Sequence, residues 1–116
     1  MTQPESTVIL ALVRDLMFSG RIGAEARAAG ATCRIVRDPA KLPPDGRLLI
    51  VDLNLPGSIE AASNWAKTQG KPVIGFVAHT DVQIIAAARA AGLGQVLARS
   101  KFVEILPELI RQALPT

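Results

Sequence analysis

The sequence predicts an α/β protein with a five-stranded parallel sheet and helices on both faces. Short, nearly uninterrupted runs of Val, Ile and Leu alternate with longer stretches whose apolar residues recur at helical spacing. The alternation repeats five times, as expected when crossover helices join parallel strands. The chain has 116 residues, near the modal size of one domain, so residues 1–116 are expected to form a single domain with its core over about 7–114.

Thr7–Val13 is the first apolar run, as suits a strand covered on both faces. From about Leu16 to Ala29 the character changes: Phe18, Ile22, Ala26 and Ala29 fall at helical spacing, and Gly30 supplies a C-terminal stop. Thr32–Val36 is a more polar strand, expected near a sheet edge. Between Asp38 and Gly46 there is room for no more than a helical turn, because Pro43-Pro44 interrupts it. The second helix is therefore short or missing. Leu48–Leu53 is the strongest buried-strand signal, and Asn54-Leu-Pro-Gly57 makes a turn after it. Ser58 is placed to cap a helix running to about Gln69. Pro72–Val77 is the fourth strand, with its proline at the tolerated first position. Asp81 caps a helix whose Val82, Ile85, Ala86 and Ala90 share a side. Gln95–Leu97 is a short fifth strand. The last helix, expected to begin near Lys101, carries Phe102, Leu106, Leu109 and Ala113 inward and ends near Pro115.

Composition excludes several classes of function. Hydrophobic residues make up 49% and charged residues 20%, so the chain can fill a core and is not a disordered segment. Aromatics are 3% and tyrosine is absent, while the thirteen Lys and Arg are scattered. Nucleic-acid binding asks for a basic stripe with stacking aromatics, and this pattern disfavours it. Cys33 is the sole cysteine, which excludes an internal disulfide and a cysteine zinc cluster, and it reads as an inert buried thiol. No apolar run approaches the length of a bilayer span and no signal-like segment opens the chain, so a cytoplasmic protein is expected.

In parallel α/β sheets ligands and chemistry gather at the carboxyl ends of the strands. The positions to inspect are therefore Arg14, Asp15, Asp52, Val77, Ala78 and Arg99. Three segments at these ends resemble a response-regulator receiver domain. Leu48-Leu-Ile-Val-Asp-Leu-Asn-Leu-Pro-Gly57 is similar to the segment in which an aspartate ends the third strand and accepts a phosphoryl group. Pro72–Asp81 resembles the fourth strand and its following loop, and Ala86–Gly92 the stretch leading to the fifth strand. The resemblance covers about Val8 to Ala113. It implies a flavodoxin-like (CheY-like) three-layer fold of strand order 2-1-3-4-5, with Asp52 as phosphoacceptor and Asp15 and Asp52 as ligands of Mg²⁺.

The pocket departs from the family pattern. Arg14 stands where the first of two acidic residues belongs, and an inward Arg14 would pair with Asp52 in place of the cation. Val77 replaces the phosphoryl-binding hydroxyl, Thr80 lies three residues on, Arg99-Ser100 replaces Lys-Pro, and Val96 stands at the aromatic switch position. Asp52 then reads either as an acceptor or as the satisfied polar end of a strand; Asp15 as a metal ligand or a helix N-cap. Asn54 serves the turn, with its backbone carbonyl at the metal by resemblance. His79 reads as a solvent-exposed loop residue and Trp65 as a helix residue at the rim.

The resemblance therefore implies a stand-alone, atypical receiver-like signalling module, a pseudo-receiver. It is expected to act by protein–protein contact, independently of phosphorylation and without enzyme activity of its own. Its contact face would include Arg89, Gln95, Lys101 and Glu104, with a regulatory protein, a histidine kinase or a second copy as candidate partner. Two alternatives stand beside it: a working receiver phosphorylated on Asp52 with Mg²⁺, and a small-ligand or anion-binding domain using Arg14 and Arg99. No membrane partner is expected.

Overall fold

The computed structural model describes residues 7–114. In chain order it contains β1 (Val8–Leu12), α1 (Leu16–Ala28), β2 (Thr32–Val36), a single 3-10 turn (Pro39–Lys41), β3 (Leu48–Asp52), α2 (Ser58–Gln69), β4 (Val73–Val77), α3 (Val82–Ala90), β5 (Gln95–Ala98) and α4 (Arg99–Ala113). All strand pairings are parallel, in the order β2-β1-β3-β4-β5. The helix expected to be short or missing is reduced to the 3-10 turn.

Parallel strands alternate their side chains between two faces, and each face here carries its own core. On one, Ile9, Ala11, Ile50 and Phe76 pack against Phe18 and Ile22 of α1 and Phe102 and Leu106 of α4. All three phenylalanines meet there, Phe76 stacked on Phe102 at 4.4 Å and tilted against Phe18 at 4.9 Å. The other face packs Leu10, Leu12, Leu49 and Val51 against Ala62 and Trp65 of α2 and Ala88 of α3. No helix covers the β2 end of this second face. The segment from the 3-10 turn to Gly46 crosses it instead. A Cβ on Gly46 would lie 2.9 Å from Leu10 and 3.5 Å from Trp65, so the missing side chain lets the backbone approach the space Trp65 fills.

Several boundaries differ from the sequence reading. Ser58 does not cap α2: Gly57, at φ 82°, makes the turn, and Ser58 enters the helix with its hydroxyl buried and unbonded. The inner stripe of α3 is also different. Ile84, Ile85 and Ala88 face the core, while Val82, Ala86 and Ala90 are exposed, Val82 by 77%. That helix is apolar on nearly every side, so spacing alone selects no face. On α4, Ile110 joins Phe102, Leu106 and Leu109 in the buried set, Ala113 packs half-buried against it as expected, and the helix starts at Arg99 directly after β5. The expected end near Pro115 lies outside the described residues.

Gly75 offers a direct check of the packing. A Cβ there would lie 2.7 Å from Cδ1 of Leu53, which folds over β4 immediately after β3 ends. Gly75→Ala is expected to destabilise the protein by about 1–3 kcal/mol through overpacking, read from the midpoint of urea unfolding.

Candidate functional site

The order of strands reverses between β1 and β3, and the crevice at their carboxyl ends is where a sheet of this kind exposes chemistry. Asp52 is the last residue of β3. Leu48 to Val51 are fully buried, whereas Asp52 emerges half-buried. Its Oδ1 accepts the backbone N–H of Asn54 at 2.9 Å, closing a local turn, and its second oxygen has no hydrogen bond among the described residues. Partial burial pushes its pKa above the ordinary carboxylate value. The negative charge of Asp15 adds to the rise, while the Asn54 N–H and nearby His79 oppose it.

Asp15 follows β1 and caps α1, its Oδ1 accepting the Phe18 N–H at 3.0 Å. Its other oxygen is uncommitted, and because β1 and β3 are parallel neighbours Asp15 stands at the same end of the sheet as Asp52. Cap and ligand roles are therefore compatible for Asp15. Mg²⁺ is held by one or two carboxylates with several retained waters. The donor set of Asp15 and Asp52 fits such a hydrated ion, with one free oxygen from each. Among the described residues no third Asp, Glu, His or Cys joins them.

Neither arginine occupies this crevice. Arg14 is exposed, and its Nε donates to the Arg37 carbonyl at 3.2 Å while Arg37 Nη1 donates back to the Arg14 carbonyl at 3.1 Å. The internal Arg14–Asp52 pair that would replace a cation does not form. Arg99 stands directly after β5, as expected, opens α4, and lies over the Phe18 ring at 5.1 Å, a cation–π contact.

The structure assigns Asn54 a part that the sequence did not disclose. Its side-chain Oδ1 accepts two backbone N–H groups from the end of β4, those of Ala78 at 2.7 Å and His79 at 3.1 Å. Its Nδ2 donates to the His79 carbonyl at 3.4 Å. One carboxamide thus ties the loop after β3 to the loop after β4. The only sequence signal was an Asn two residues after a strand-ending Asp, which reads equally well as turn chemistry. Val77 is buried and Ala78 half-buried; Thr80 is exposed and makes no hydrogen bond among the described residues. His79 is exposed, as expected. Arg89, Gln95, Lys101 and Glu104 are all exposed, on α3, β5 and α4.

This architecture is the flavodoxin-like, CheY-like fold of response-regulator receiver domains. A response regulator receiver protein from Pseudoalteromonas atlantica superposes with a TM-score of 0.74 at 14% identity, over 91% of this chain and 95% of that one. CheY4 of Vibrio cholerae, a chemotaxis response regulator, gives 0.71 at 16% identity over 95% and 100%. The BeF3-activated DrrB receiver domain gives 0.76 at 13% identity over 94% and 97%. At these identities the likeness is one of fold. No protein-family model matches the sequence. No curated protein matches it either. Among the described residues, no helix is long and apolar enough to cross a membrane.

The raised pKa of Asp52 has a measurable consequence. The folded state binds this proton more tightly than the unfolded chain, so stability falls as pH rises through the folded pKa and stays lower at neutral pH. Asn preserves the shape and the oxygen that accepts from Asn54 but cannot ionise. In metal-free buffer, Asp52→Asn is expected to melt above the wild type at pH 7. The difference should close below about pH 3.8, the ordinary value, where Asp52 is neutral in both states.

Proposed function

We propose that this protein is a receiver-type signalling module that works by protein–protein contact and holds one conformation without phosphorylation. The observation that carries this reading is the Asn54 carboxamide. A phosphoryl group on Asp52 would need hydrogen-bond donors at the ends of β3 and β4. The N–H groups of Ala78 and His79, the nearest such donors after β4, are already committed to Asn54 Oδ1. Val77 offers no hydroxyl, and Arg14 and Arg99 are engaged by Arg37 and Phe18. An incoming phosphate would therefore have to displace a satisfied neutral acceptor and would find neither of these arginines in its place.

Contact with a partner would use the β5 edge with its two flanking helices. There Val82, Ala86 and Ala90 of α3 are exposed beside Arg89, and Gln95, Lys101 and Glu104 continue the surface across β5 and α4. A regulatory protein, a histidine kinase or a second copy would meet an apolar centre with a charged rim, which is the usual build of a protein interface. On this reading the protein catalyses no reaction on a substrate of its own and acts in the cytoplasm.

A second reading, a receiver phosphorylated on Asp52, is favoured by the uncommitted oxygens of Asp15 and Asp52 facing a crevice free of arginine. Those two carboxylates would hold Mg²⁺, which would neutralise charge on the transferring phosphoryl group. The anion-binding alternative has no such support, because Arg14 and Arg99 are held by different partners.

Acetyl phosphate with Mg²⁺, followed by intact mass, separates the first two readings. The expected result is an unchanged mass in wild type and Asp52→Asn alike. A phosphoryl adduct that requires both Asp52 and Mg²⁺ would establish the second reading instead.

A further inference from the structure

The whole excess of positive charge lies in one part of the chain. Six of the thirteen Lys and Arg and three of the ten acidic residues fall between Arg14 and Lys41, so this stretch carries the net +3 and the remainder balances to zero. Four of these cations, Arg14, Arg34, Arg37 and Lys41, gather at β2 and the segments next to it. Arg34, Arg37 and Lys41 line a groove of about 480 Å³ together with Val36, Asp38 and Pro43. The groove exists because only a 3-10 turn follows β2, leaving that end of the sheet without a covering helix.

Among the described residues these cations form no ion pair with an acid. Among the described residues the one ion pair joins Arg111 to Glu108 on α4. Asp38, the acid in the groove, spends its Oδ1 on capping the Ala40 N–H. Arg14 and Arg37 brace one another through each other's backbone carbonyls. Their remaining guanidinium N–H groups stay free in a fixed frame, the arrangement that suits bidentate capture of carboxylates.

Beside them runs an open strand edge. Among the described residues β2 pairs only with β1. Thr32 N–H donates to Thr7 and Val36 C=O accepts from Val13, so Thr32, Arg34 and Val36 turn their backbone polar groups toward β1. By the alternation of a parallel ladder, Cys33 and Ile35 turn theirs outward. Such an edge is a template for an added strand.

We propose that the β2 edge docks an extended acidic segment of a partner protein. The segment would add as a sixth strand on the backbone groups of Cys33 and Ile35, with its carboxylates against Arg34, Arg37 and Lys41. The charge selects this occupant. A second copy would bring the same cations edge to edge and be repelled, and a neutral strand would leave them unpaired. A single-stranded nucleic acid would want stacking aromatics, and none lines the groove. The proposal rests on the reading of this protein as contact-driven and names the chemistry of one partner. A phosphoryl adduct in the mass assay would sink that reading without altering the amide behaviour described next, so the two can fail separately.

The test uses a short peptide alternating Glu and Thr, followed by amide NMR and hydrogen exchange on the full chain. Its controls are the Gln-for-Glu peptide, oligothymidylate, and vesicles of phosphatidylglycerol in phosphatidylcholine. Binding should slow exchange at Cys33 and Ile35 and leave Arg34, already paired to β1, unchanged. The double variant Arg34→Glu, Lys41→Glu, both exposed positions, should keep the unbound spectrum elsewhere and weaken binding by about tenfold or more. No peptide binding, binding without slowed exchange at Cys33 and Ile35, or equal binding of the Gln peptide would overturn the proposal. So would tighter binding of the oligonucleotide or the vesicles, which would make the cluster a general polyanion site.

Discussion

The rest of the structure depends on β3 being buried on both faces. Leu48 to Val51 have no exposed surface, since one core layer packs on each side of the strand. A strand so enclosed can carry polar chemistry only where it emerges, and Asp52 is that point. The same burial fixes the neighbours. β1 lies on one side and β4 on the other, so the loops bearing Asp15 and Ala78-His79 are brought to the same end of the sheet as Asp52. The site therefore follows from sheet topology before any of its side chains is considered.

What the site does is decided by how few of its polar groups remain free. Asn54 satisfies three backbone groups, two donors and one acceptor contact, across two loops. The half-buried Ala78 amide is costly to leave unpaired, so a ligand that competed for it would have to replace a bond of comparable strength. This cross-link between the two loops is the observation on which the proposal of a single, phosphorylation-independent conformation rests. Asp52, by contrast, is under-satisfied: one oxygen is engaged, the other has no hydrogen bond among the described residues, and Arg14 and Arg99 are held elsewhere. The pocket thus combines a carboxylate able to attract a cation with a loop already occupied by a neutral acceptor.

Much of this was legible in the residues. Uninterrupted runs such as Leu48–Val51, glycines after helices, and Asp15 and Asp81 as caps have short-range causes, so the sequence carries them openly. The Pro43-Pro44 pair likewise foretold the loss of a helix, and with it the uncovered end of β2. The side chains of α3 were not legible, because a helix with Val, Ile and Ala all round gives no preferred face. Nor was Ser58, whose capping role was taken by the left-handed turn at Gly57. Among the site residues, Arg14, Arg99 and Asn54 depend on partners far along the chain: Arg37 is 23 residues away, Phe18 lies on another helix, and Ala78 is 24 residues away. Spacing within one segment cannot disclose such contacts.

The central claim is that Asn54 holds the loop after β4 in one state. Its most direct test is amide hydrogen exchange at Ala78 and His79, in wild type and Asn54→Ala, with and without beryllofluoride and Mg²⁺. The account requires slow exchange at both amides in the wild type, unaltered by beryllofluoride and Mg²⁺. It also requires faster exchange in Asn54→Ala alone, by roughly an order of magnitude for the loss of a hydrogen bond worth about 1 kcal/mol or more. Wild-type amides that exchange freely, or that respond to beryllofluoride and Mg²⁺ as a switching loop would, contradict it.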